Sequence, residues 1–143
     1  MRSRCLTLPL IALGVPLVLG SRPASAQSLE GAAEAARTAW LAHDPAGLVQ
    51  SDSVTLRLTG VPSGPVPIPA GQAIRLLAQY LGPAREVAFD LRSVRAAGPD
   101  QGYAEARRRY VVRGTTDEIM ETVFLGFRFS GGQWRLRDIR VSP

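Results

Sequence analysis

Apolar and polar positions along the chain change period twice. From Ser28 to about Ala42, Leu29, Ala33, Ala36 and Trp40 recur at helical spacing on one face. Ser28 is placed to cap that helix, with Glu30 and Glu34 near its positive end. Asp44-Pro45 is a cap followed by a first-turn proline, which predicts a short helix to Val49. Val54, Leu56 and Leu58 then alternate with Thr55, Arg57 and Thr59, the pattern of a half-buried strand. Gly60 to Pro69, rich in proline and glycine, reads as a loop or a stiff extended edge. A second long helix follows to Leu81, with Ala73, Ile74, Leu77 and Leu81 as its stripe and Gly82-Pro83 as its stop.

The remainder alternates with period two. Strands are predicted over 85–96, 102–113, 118–129 and 133–141, separated by Gly98-Pro99-Asp100, Gly114-Thr115-Thr116-Asp117 and Ser130-Gly131-Gly132-Gln133. Short connections between long strands make antiparallel neighbours. Helices gathered early and strands late predict an α+β domain, with helices on one face of a curved antiparallel sheet.

Three stretches carry a family resemblance. They are Ala39-Trp40-Leu41-Ala42-His43-Asp44-Pro45-Ala46-Gly47-Leu48, the helix from Ala70 to Leu81, and the pair Val123-Phe124-Leu125-Gly126-Phe127-Arg128-Phe129 with Gly131-Gly132-Gln133-Trp134-Arg135-Leu136. In this order they resemble the nuclear transport factor 2-like superfamily (SnoaL-like, cystatin-like cone), nearest to its small secreted bacterial members of unknown function. The resemblance covers about Ser28 to Val141. It implies a cone-shaped fold with an interior pocket, and no particular reaction.

Face assignment locates the candidate chemistry. A two-residue turn at Thr115-Thr116 would pair Tyr110 with Glu121, Arg108 with Val123 and Ala106 with Leu125. That face is mostly apolar and is expected to point inward. Arg108, Tyr110 and Glu121 are its polar misfits, with Arg108 diagonal to Glu121. An arginine there could hold a carboxylate or phosphate, and a glutamate could act as a base. The plain alternative is a structural ion pair. Phe127, Phe129, Trp134 and Leu136 share the face, and with Trp40, Tyr80 and Phe89 they would wall a cavity; ordinary core packing is the competing role. Strict alternation would turn Ile139 and Val141 outward, so a bulge is expected near Arg137-Asp138. Tyr103, Val111, Met120 and Phe124 fall on the outer face, and the resemblance implies a homodimer through it.

Composition and charge narrow the classes. The chain has 143 residues, 45% apolar and 20% charged, which is globular composition sized for one domain. Arg2 and Arg4, the apolar run Leu6 to Gly20, and Ala24-Ser25-Ala26 together read as a signal peptide over residues 1–26. Residues 27–143 would then be the exported domain, periplasmic or extracellular, without a membrane span; a retained anchor is the alternative. Cys5 precedes the apolar run, so the exported part holds no cysteine for a disulfide or a thiolate metal site. The net charge of +5 falls to +2 once Arg2, Arg4 and Arg22 leave with the signal. Every basic residue is arginine. Arg107-Arg108-Arg109 alternate between faces and form no single patch, so nucleic acid is not expected as a partner.

His43, the only histidine, lies at a helix end beside Asp44 and has no nucleophile motif near it. One histidine without cysteine makes no metal site, and no cofactor is expected. The resemblance includes isomerases, dehydratases and epoxide hydrolases. The paired histidines of the dehydratase pattern are absent here. The epoxide hydrolase Asp-Arg-Asp set is also unmatched, with only Glu121 expected near Arg108. No residue is therefore assigned as catalytic. The expected function is a non-enzymatic ligand-binding or protein-interaction module, whose partner would be a small apolar or anionic molecule or an envelope protein. The alternative is a small lyase, isomerase or hydrolase with Glu121 as general base and Tyr110 as hydrogen-bond donor.

Overall fold

The computed structural model describes residues 27–62 and 64–143. The predicted signal peptide lies outside the described residues. Helix α1 spans Leu29–Leu41, capped by Ser28, whose hydroxyl accepts from the Gly31 amide at 3.0 Å. Helix α2 is the single turn Pro45–Leu48, capped by the Asp44 side chain. Strand β1 (Ser53–Arg57) and the two-residue edge β2 (Ile68–Pro69) precede helix α3 (Ala70–Leu81). Four long strands complete the chain: β3 (Ala84–Ala96), β4 (Gln101–Val112), β5 (Glu118–Ser130) and β6 (Gln133–Ser142).

They build one curved six-stranded sheet in the order β2-β1-β6-β5-β4-β3. Neighbours run antiparallel except β1 and β6, which are parallel, with Leu56 opposite Ile139. The helices cover one face: α1 lies against β3 and β6, and α3 against β1. The core between them holds Trp40, Leu77, Leu81, Phe89, Val123 and Leu125, each at most 1% exposed. This is the arrangement of helices on one face of a curved sheet expected from the order of periods, and the cone that the family resemblance implies.

Three register details position the functional side chains. The β4–β5 turn is centred one residue earlier than a Thr115-Thr116 turn would be, which shifts every cross-strand partner by two. Gly114 takes φ +84°, and Thr115 N–H donates to the Val112 carbonyl, so the chain reverses at the glycine. Arg108 therefore sits directly opposite Glu121 and Tyr110 opposite Ile119, which corrects the sequence-based pairing. A two-residue slip preserves which face each side chain takes, so Arg108, Tyr110 and Glu121 remain on one face.

The expected β6 bulge is present. Gly126 faces Asp138 and Phe127 faces Leu136, leaving Arg137 as the extra residue and returning Ile139 and Val141 to the core. Strand β3 carries two register shifts, which fall at Val87 and Arg92. The first turns Glu86 inward and leaves Val87 exposed.

Candidate functional site

Arg108 is the centre of the buried polar cluster. It lies on the inner face of β4 with no exposed side-chain surface. From β3, Glu86 takes a forked pair of bonds: Nε donates to Oε2 at 3.0 Å and Nη2 to Oε1 at 2.5 Å. From β5, Glu121 Oε2 accepts from Nη1 at 3.1 Å. From α3, the Tyr80 hydroxyl accepts from Nη1 at 2.7 Å and donates to Glu121 Oε2 at 2.5 Å. Tyr110 donates to the other Glu121 oxygen at 3.0 Å. The guanidinium also stacks over the Tyr110 ring at 3.9 Å and lies 5.0–5.2 Å from the Tyr80 and Trp40 rings.

The arrangement is a closed acid–arginine–acid set. The expectation that Arg108 has only Glu121 near it is corrected: Glu86 holds the opposite side of its fork. His43 joins at the rim, its Nε2 3.3 Å from Glu86 Oε1. Its partner is thus Glu86, while Asp44 caps α2 instead. His43 reaches there because its backbone takes φ 50° directly after α1.

Electrostatics follow from this packing. Burial raises the Tyr80 pKa far above its ordinary value; the Arg108 charge opposes this and the bond to Glu121 reinforces it. Burial and the Glu121 charge raise Tyr110 as well. Burial alone would lower Arg108, but the hydrogen bonds to Glu86 and the surrounding charges more than reverse that. Both hydroxyls and the guanidinium thus keep their protons across the physiological range. Glu121 accepts three hydrogen bonds, which fill most of its lone-pair positions.

The aromatic residues expected to wall a cavity pack on one another. Trp40 meets Phe89 at 5.0 Å and Tyr80 edge-on at 6.2 Å. Phe129 meets Trp134 at 5.2 Å, and Phe127 is buried in the core. Of the outer-face residues, Tyr103 and Met120 are about half exposed. Phe124 lies under Arg140, whose guanidinium is 4.8 Å from its ring. Val111, expected to be exposed there, is buried; Arg85 and Glu118 flank it on either side, and long side chains of this kind cover apolar surface with their stems.

The open space lies elsewhere. A cavity of about 590 Å³ and a second of about 420 Å³ meet on the outer face of the sheet, sharing Tyr103, Gly126, Asp138 and Arg140. Neither is lined by Arg108, Tyr110 or Glu121. Gly126 forms the floor, because a Cβ there would stand 3.0 Å from Asp138 Cβ. The proline-rich segment contributes a wall through Pro65 and Pro67. Sequence reasoning left this groove out. Its only sequence signal was the glycine at a position facing away from the core.

Burial raises the Asp138 pKa, against the opposing pull of Arg140 and Arg57. Raised values favour the neutral form in the fold, so this contribution is present at low pH and lost as pH rises through the folded value. Asp138→Asn is therefore expected to be more stable than the parent protein near neutrality, and the two should converge in acid. Urea denaturation at several pH values checks this; a variant equally destabilised at all pH values would contradict it.

Comparison with known proteins places the fold. No family profile matches the sequence, and no curated protein does. Solved structures do match. A ketosteroid isomerase-like protein from Erwinia carotovora atroseptica superposes with a TM-score of 0.66 at 16% identity, covering 84% of this chain and 98% of its own. An NTF2-like protein of unknown function in nutrient uptake from Rhodospirillum rubrum gives 0.58 at 22% identity, covering 80% and 97%. A DUF4783 family protein from Bacteroides uniformis gives 0.63 at 14% identity, covering 76% and 94%. The chain has the nuclear transport factor 2-like fold, shared by proteins whose described roles differ.

Proposed function

We propose that this protein is an exported, non-enzymatic binding module that meets an anionic partner on the outer face of its sheet. Export rests on the residue pattern before Gln27. Among the described residues, no helix is long and apolar enough to cross a membrane.

One observation carries the binding reading: the ionisable groups inside the cone are spent on one another, while the open groove lies outside. A general base needs a free lone pair facing substrate, and Glu121 already accepts from Tyr80, Arg108 and Tyr110. A ligand-binding arginine needs a free fork, and Glu86 occupies that of Arg108.

The outer face is rich in arginine. Arg57 stands opposite Arg140, and Arg128 opposite Arg135, with Arg107 further along β4. Acids on the same face are Asp90 opposite Arg107, Glu105 opposite Phe124, and Asp138 opposite Gly126, so the like-charge excess is concentrated at the Arg57–Arg140 and Arg128–Arg135 pairs, where an acidic group is favoured. An acidic partner would meet both pairs with opposite charge.

The test is fluorescence anisotropy of a labelled polyglutamate peptide with residues 27–143. Binding is expected at low salt, to weaken as salt rises, and to be lost in the Arg57→Glu/Arg128→Glu variant without a loss of thermal stability, because each glutamate would then face an arginine. Binding that survives charge reversal, or that is absent at low salt, would overturn the proposal.

A further inference from the structure

Like charges directly opposite each other on adjacent strands destabilise a sheet. Arg57 on β1 and Arg140 on β6 are such a pair: same face, same row, parallel strands in register. Among the described residues no ion pair neutralises either guanidinium. Asp138 lies one row away and influences both, but outside ion-pair distance. The Arg140 guanidinium carbon lies over the Phe124 ring, 4.8 Å from its centre, a cation–π contact that favours this placement of the side chain. Both arginines line the 590 Å³ cavity, a volume suited to a small organic ligand. Tyr103, half exposed, stands across Gly126 from Asp138 and offers a second aromatic surface.

We infer that this groove is a binding site for a small aromatic carboxylate, its carboxyl group seated between the guanidinium groups of Arg57 and Arg140 and its ring lying over Gly126 beside Tyr103. The two forks supply charge-assisted hydrogen bonds in the planar geometry that a carboxylate accepts. The bound anion relieves the repulsion between the two arginines. Gly126 supplies the clearance for the ring, since any side chain there would crowd Asp138. The site lies on the opposite face of the sheet from the Arg108 cluster. The inference rests on the outer-face reading above and names its small-molecule ligand.

The experiment is a ¹H–¹⁵N NMR titration of residues 27–143 with benzoate, with benzamide as the uncharged control and inorganic phosphate as the ring-free anion. Benzoate is expected to shift the amides of Tyr103, Gly126 and Asp138, with benzamide inert and phosphate weaker. Arg57→Leu and Arg140→Leu should each reduce benzoate affinity about tenfold, the order expected for losing one charge-assisted contact. Phosphate binding as tightly as benzoate would overturn the aromatic part. Benzoate shifts confined to residues around Trp40, or no shift at all, would overturn the site. If benzoate fails while polyglutamate still shifts outer-face residues such as Arg107, this inference falls and the outer-face reading stands. If both fail, both fall.

Discussion

Replacing Arg108 by leucine is expected to lower the stability of the fold by about 3–5 kcal/mol, the usual cost of removing one partner from a buried ion pair. The guanidinium is fully buried and bonds to Glu86, Glu121 and Tyr80. Its loss leaves two carboxylates facing each other in the core with no cation between them. Arg108→Leu combined with Glu86→Gln and Glu121→Gln should recover much of the loss, because no charge is then left unpaired. Urea denaturation of the single and triple variants measures both effects. A single-variant loss below about 1 kcal/mol, the scale of an exposed pair, would show that Arg108 does not hold the cluster together.

The second large effect is expected at Trp40. Its side chain is completely buried between Phe89 and Tyr80 and lies beside the Arg108 guanidinium. Trp40→Ala should cost about 3–5 kcal/mol, through lost burial and the cavity left behind. Trp40→Phe should cost clearly less. The indole N–H is buried without a hydrogen-bond partner, so phenylalanine gives up packing volume but no polar contact. Chemical denaturation separates the two variants. Equal losses would mean that the indole nitrogen contributes a contact of its own.

The reach of the sequence follows from where alternation is strict and where it breaks. Strands β3 to β6 were legible to within a residue or two because glycine-rich turns bound them. The β6 bulge was legible because Leu136 and Ile139 cannot share a face without an extra residue. The β4–β5 register was not legible. Two adjacent turn signals compete there, and the glycine outcompetes the threonine pair because it takes positive φ without strain.

Glu86 was missed for a related reason. Counting back from Phe89 by twos reaches Val87 and Arg85 on the core side, which leaves Glu86 outside. The bulge at Val87 reverses that phase. One of the two buried carboxylates therefore depended on an irregularity that a period-two pattern cannot reveal. His43 was hidden likewise, because its approach to Glu86 requires a left-handed backbone step. The parallel pairing of β1 with β6, which sets Arg57 beside Arg140, joins segments far apart in sequence with no shared turn to mark them.

The most direct test of the account is a crystal structure of residues 27–143 grown with benzoate. Electron density for the ligand is expected on the outer face, between Arg57, Arg140 and Tyr103, with Arg108 still forked onto Glu86 and no ligand between Trp40 and Tyr80. Benzoate inside the cone, with Arg108 turned from Glu86 toward its carboxylate, would contradict it.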